Sequence, residues 1–198
     1  MRYGAHGFHF LLWNLFLAWV PLLFALVVYD RYRRGVPLLR LVPALALWLV
    51  FLPNAPYIFT DFIHLTAVPE TPLWLDGVVL SAFAWTGVLL GFVSVYLVHA
   101  VVRHRFGLRA GWAGAVGALA LTSAGVYLGR VLRWNSWDLI VRPGRRLAEV
   151  APRLTDPASL TRAGAATLIL TVLLVATYAV FYALIGLRLE PELKRRSR

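Results

Sequence analysis

Apolar residues run in long blocks along most of this chain, and polar residues collect between the blocks. Five blocks reach the roughly 20 residues that a helix needs to cross a bilayer. They lie at about 8–29, 41–60, 76–102, 110–129 and 163–187, and basic segments such as "DRYRRGVPLLR" and "RHRFGLR" follow some of them. The pattern predicts an all-α, polytopic transmembrane helix bundle of about five spans, formed by a single integral membrane domain, 1–198.

The second block breaks the pattern at its end, which reads "FLPNAPYIFTDFIHL". Pro53 and Pro56 each lack a backbone N–H and clash with the preceding turn, so the second helix is expected to kink or unwind there. Carbonyls freed at membrane depth need partners from protein or water, because lipid offers none. Asn54 lies between the prolines and can both donate and accept. Asp61 and His64 follow at i and i+3, a spacing that places both on one face of a helical turn. Read as chemistry, Asp61 fixes the tautomer of His64 and raises its basicity, making a catalytic acid/base pair. Read as structure, the two are a hydrogen-bonded pair at the membrane surface. Two residues do not make a metal site, and no metal or cofactor is assigned.

A second polar motif, "GRVLRWNSWDLIVRP", leaves the fourth span. Two even-numbered spans end on one side of the membrane, so parity alone brings this motif to the side of the first. Arg130, Arg133, Trp134 and Trp137 recur at helical spacing, and arginine and tryptophan are ordinary interfacial anchors. Asn135, Ser136 and Asp138 fit that role less well. An arginine pair facing a carboxylate predicts a salt bridge from Asp61 to Arg130 or Arg133, which offsets the cost of holding either charge near hydrocarbon. Arg130, Arg133, Asn135, Asp138 and Asn54 are therefore candidate binding residues for an anion or polar group. Asn14 in the first span and Asp76 at the start of the third reach the same side.

Two small-xxx-small patterns, Gly87 with Gly91 and Gly125 with Gly129, suggest close contact between spans three and four. "TDPASL" makes Asp156 an N-cap with Pro157 at the first helical position, so the fifth helix is expected to begin before it enters the bilayer.

Composition narrows the function classes. The chain is 60% hydrophobic and 15% charged, with mean hydropathy +0.71, more apolar surface than a soluble domain of this size hides. It has no cysteine, which excludes disulfides, thiolate metal sites and cysteine nucleophiles. A net charge of +11 would suggest nucleic acid in a soluble protein. Here the arginines flank apolar spans, so the expected partner is the lipid bilayer and its anionic headgroups, with no nucleic acid. Twelve basic residues fall on the side of Arg31, Arg103 and the C-terminus, against eight on the other. The positive-inside bias then puts the N-terminus outside a cell membrane and the C-terminus in the cytoplasm. Seven arginines from Arg130 to Arg162 lie on the outer side in that orientation, as headgroup-facing residues or as holders of an anion.

The two motifs resemble the paired signatures of the bacterial integral membrane family called domain of unknown function 1361. The matching positions are Pro53, Asn54, Pro56, Tyr57, Thr60, Asp61 and His64, then Gly129, Arg130, Arg133, Asn135, Ser136, Trp137 and Asp138. The resemblance implies a multi-pass bacterial membrane protein and brings no activity, substrate or catalytic residue with it.

Three functions stay open from the residues. One is a non-catalytic membrane protein whose polar cluster pins helix ends and presents a surface to a partner. A second is a membrane-face enzyme acting on a phosphorylated lipid or lipid-linked substrate. In it Arg130 and Arg133 clamp the phosphate, His64 oriented by Asp61 moves the proton, and Asn135 and Asp138 position the substrate. The third is a small-solute transporter built around the proline-broken helix. No phosphate-binding glycine loop, HExxH or G-x-S-x-G element accompanies them.

Overall fold

A computed structural model describes residues 7–64, 73–132, 141, 144 and 156–186; for 7–9, 63, 64, 73 and 132 the description stops at the backbone. These residues are helical almost throughout. Helix α1 spans Gly7–Arg33, α2 Leu38–Phe51, the single turn α3 Asn54–Tyr57, and a 3₁₀ segment Ile58–His64. Beyond it come α4 Leu73–Phe106, α5 Leu108–Leu132 and α6 Pro157–Gly186. Five of the described helical stretches are long and apolar enough to cross a membrane. Helical hydrogen bonding satisfies most of their backbone polar groups, as a bilayer requires, and prolines interrupt it in the first two spans.

The chain turns are local and chemically legible. After α1, Gly35 adopts a left-handed φ of 81°. Its N–H bonds to the Tyr32 carbonyl at 3.0 Å, and the Val36 N–H reaches Arg31 at 3.1 Å. This double closure satisfies the last carbonyls of the helix, and Pro37 then prevents its continuation. Between α4 and α5 the connection is one residue, Gly107 at φ 89°, whose N–H returns to Arg103 at 2.9 Å. At α6, Asp156 receives the N–H groups of Ala158 at 3.3 Å and Ser159 at 3.0 Å. The expected cap is present, and the helix starts several residues ahead of its apolar run.

Helix α4 is the central element: α1 and α5 pack along it, α2 packs on α1, and α6 packs on α5. The main core gathers Ala25, Trp48, Leu52, Phe92, Val95, Leu119 and Tyr178 from all five spans. A second, smaller core of Leu11, Ile58, Leu80 and Ala84 surrounds the 3₁₀ segment. Outward, α1 shows Leu12, Trp13, Phe16 and Leu23, and α6 shows Leu168, Ile169, Val172 and Leu173, each more than half exposed. Apolar bands of this size on two helices match a lipid-facing surface rather than a wet one.

The glycines take partners that their pattern left open. Spans three and four do pack against each other, but Gly87, Gly91 and Gly125 face the broken segment. A Cβ at Gly87 would lie 2.5 Å from the Ala55 carbonyl oxygen, and one at Gly91 would lie 2.8 Å from the Ala55 Cβ. A Cβ at Gly125 would meet the Pro53 Cγ at 2.5 Å. The missing side chains make a seat for the proline break between α4 and α5, so a kinked segment too wide for ordinary helix packing fits the bundle.

Candidate functional site: a buried carboxylate at the helix break

The break begins where the prolines remove donors. Helix α2 ends at Phe51, and the carbonyls of Leu49 and Leu52 lose the N–H groups that positions 53 and 56 would have supplied. The chain repairs part of this locally. The Ala55 N–H bonds to the Leu52 carbonyl at 3.1 Å, and the Asn54 amide donates to the Phe51 carbonyl at 2.8 Å. One donor of Asn54 is thus spent on backbone, the capping role its position suggested. Thr60 likewise donates its hydroxyl to the Tyr57 carbonyl at 2.7 Å.

Beyond the break the chain tightens into the 3₁₀ segment, anchored by the fully buried Ile58. This carries Asp61 inward, where it is 4% exposed. An isolated carboxylate at that depth would be costly, since burial penalises the charged form by several kcal/mol. Asp61 is compensated from two other helices. Asn14 of α1 donates its amide to Oδ2 at 3.1 Å, and Nη1 of Arg130, near the end of α5, lies 3.5 Å from Oδ1. The second distance is that of an ion pair rather than a short hydrogen bond. A quarter of the Arg130 side chain remains accessible.

The predicted Asp61–Arg130 salt bridge is therefore in place, and Asn14 adds a hydrogen bond to it. Three elements far apart in sequence meet on one carboxyl group. Asp76 opens α4, in its first turn. Asp61 and His64 both lie on the 3₁₀ segment, whose backbone register puts residues three apart one above the other. The His64 side chain and all of Arg133, Asn135 and Asp138 lie outside the described residues. Among the described residues, no three His, Asp or Glu side chains come together as metal ligands.

A second polar cluster, at the other end of the bundle, escaped the sequence reading. His99 of α4 is buried, with Nδ1 2.9 Å from the Tyr178 hydroxyl of α6 and its ring stacked on Tyr182 at 4.9 Å between centroids. Arg103, one turn on, donates from Nη1 to the Tyr182 hydroxyl. Trp112 of α5 meets the His99 ring edge-on at 5.1 Å. The available signal was a pair of i, i+4 spacings in two apolar helices: His99 with Arg103, and Tyr178 with Tyr182.

A family model described as "Protein of unknown function (DUF1361)" matches residues 13–187. No curated protein and no solved structure matches the chain.

Proposed function

We infer the role of this chain from the premise that it belongs to the protein family of unknown function DUF1361, whose model spans both polar motifs. The reading is a multi-pass membrane protein in which the Asp61 cluster is a structural clamp. It holds the proline-broken second span in register with α1 and α5, and the polar cluster presents a surface at the membrane face to a partner. The observation that carries it is the division of one buried carboxylate between Asn14 and Arg130, 3.1 Å and 3.5 Å away on separate helices. Charge pairs at that depth are conformational devices when each partner would be costly alone. The arginine distribution favours an orientation with the N-terminus outside, which puts the clamp at the outer face.

Substitution separates this reading from membrane-face catalysis. Arg130→Gln should leave Asp61 buried and underpaired, and so lower the monodisperse, membrane-extracted fraction in size-exclusion chromatography. His64→Ala should leave that fraction unchanged. If Arg130→Gln leaves yield and melting temperature at the parental values, the clamp is refuted. If His64→Ala abolishes turnover of a lipid-linked phosphate substrate at normal abundance, Asp61 and His64 become the catalytic pair, with Arg130, Arg133, Asn135 and Asp138 around the substrate.

A further inference from the structure

Opposite the clamp, where α4 ends, an open recess of about 310 Å³ is lined by Tyr96, His99, Ala100, Arg103, His104 and Tyr182. Its position along the membrane normal follows from connectivity. The α1–α2 turn and the α4–α5 turn share this end, and the Tyr32 hydroxyl bonds Nδ1 of His104 across them at 2.9 Å. The walls are layered. Deepest is His99, clasped by Tyr178 and faced by Tyr182. At the mouth stand Arg103 and His104.

Charge at this end is predominantly positive. Arg31, Arg33, Arg34, Arg40, Arg103, Arg105 and Arg109 all belong to it. Among the described residues its acidic counterweight is Asp30, which pairs with Arg34 at 3.0 Å. Arg103 meets no carboxylate among the described residues; the partner recorded for its guanidinium is the Tyr182 hydroxyl. That bond aims a five-donor fork along the recess while engaging one donor. His99 is 2% exposed, and its Nε2 lies beside Gly111 of α5, where an added Cβ would stand 3.0 Å away, with no hydrogen-bond partner among the described residues.

We propose that this recess binds the phosphate of an anionic phospholipid headgroup, with Arg103 and His104 taking the oxyanion and the Tyr96 and Tyr182 rings lining the space beneath it. Guanidinium forks suit phosphate oxygens, and tyrosines at the ends of spans occupy headgroup depth. The same turns of α6 expose Val180, Leu184 and Ile185 toward lipid, an apolar track for the attached acyl chains. Free phosphate offers the same oxyanion without the chains. This site is remote from Asp61 and does not depend on the clamp.

The test uses the full chain reconstituted in nanodiscs of equal parts phosphatidylglycerol and phosphatidylcholine, then released for native mass spectrometry. Wild type should retain phosphatidylglycerol in preference to phosphatidylcholine, and Arg103→Gln should reduce that preference about tenfold, the value of one charge-assisted hydrogen bond. Arg109→Gln removes a charge at the same end without touching the recess and should keep the preference. Equal loss in both variants would show general attraction to a basic surface and overturn the site. So would a wild type with no preference. If Arg103→Gln does not fold, His104→Gln and Arg103→Lys read the same recess, and preference unchanged in both overturns it. Excess inorganic phosphate distinguishes the sources: saturable phosphate binding without retained phosphatidylglycerol would assign the recess to the free ion and refute the lipid.

Discussion

Replacing Gly87 by alanine adds one methyl group where the bundle has no room for it. Its Cβ would stand 2.5 Å from the Ala55 carbonyl oxygen and 3.2 Å from the Ile58 Cδ1. Carbon–oxygen contacts settle near 3.3 Å or beyond, so the oxygen must retreat by about 0.8 Å. The isoleucine methyl can turn aside, whereas the carbonyl belongs to the backbone of the break and moves only with it. Overpacking of this kind costs about 1–3 kcal/mol, and the better helix propensity of alanine returns up to about 1 kcal/mol. The net expectation is a loss of up to about 3 kcal/mol, or about 2 kcal/mol where the propensity gain is realised in full. Gly117 in α5 supplies the control, because a Cβ there meets nothing within 4 Å. Gly117→Ala should keep the propensity gain and melt at or above the parent. Tryptophan fluorescence melts in one detergent would compare them, at about 2–4 °C per kcal/mol for a chain of this size. A Gly87→Ala protein that melts with or above Gly117→Ala would refute the close seating of the break on α4.

The clamp makes a second prediction. Arg130→Gln should cost about 3 kcal/mol by removing the ion-pair partner of a buried carboxylate, and adding Asp61→Asn should restore part of the loss, whereas effects that add within about 0.5 kcal/mol would mean the two groups are uncoupled. Tyr178→Phe should remove the hydroxyl beside Nδ1 of His99, leave the ring packing intact and destabilise by about 1–3 kcal/mol; an unchanged melt would show that the histidine draws nothing from that contact. At the start of α6, hydrogen bonds from Ser159 and then Ala158 hold the Asp156 carboxyl below its ordinary value of 3.8. A depressed folded-state value means that the cap's contribution is complete above that ordinary value and is lost as pH falls through the lower one. Hydrogen exchange at Ala158 and Ser159 should therefore lose protection in acid, and protection that stays constant relative to an Asp156→Ala protein would show that the cap does no work.

Helix number and order were legible in the sequence because each span is a long apolar run, a signal that needs no partner to interpret. The break was legible for a similar reason: Pro53 and Pro56 act on their own backbone. Parity carried the pairing of Asp61 with Arg130, since it required only that both even-numbered spans end on one side. The contribution of Asn14 was visible as depth and not as a contact, because the rotation of α1 about its axis is set by packing. The glycines signalled contact between spans three and four, which is present, without identifying their partners. A small-xxx-small pattern announces that a backbone will come close and leaves open which backbone, and here Ala55 and Pro53 occupy the space. The His99 cluster was hardest to see, because Tyr178 and Tyr182 sit in an apolar helix where aromatic residues are expected as filling.

The single residue between α4 and α5 governs more than local geometry. Gly107 reverses the chain with no slack, so α4 and α5 form a hairpin whose halves share one fate during membrane insertion. Neither can adopt the opposite topology while the other stays, and a foreign loop spliced at that point would sever the coupling between them. Arg103 and Trp112 are brought to the same depth by that reversal alone, before any of the other spans has arrived.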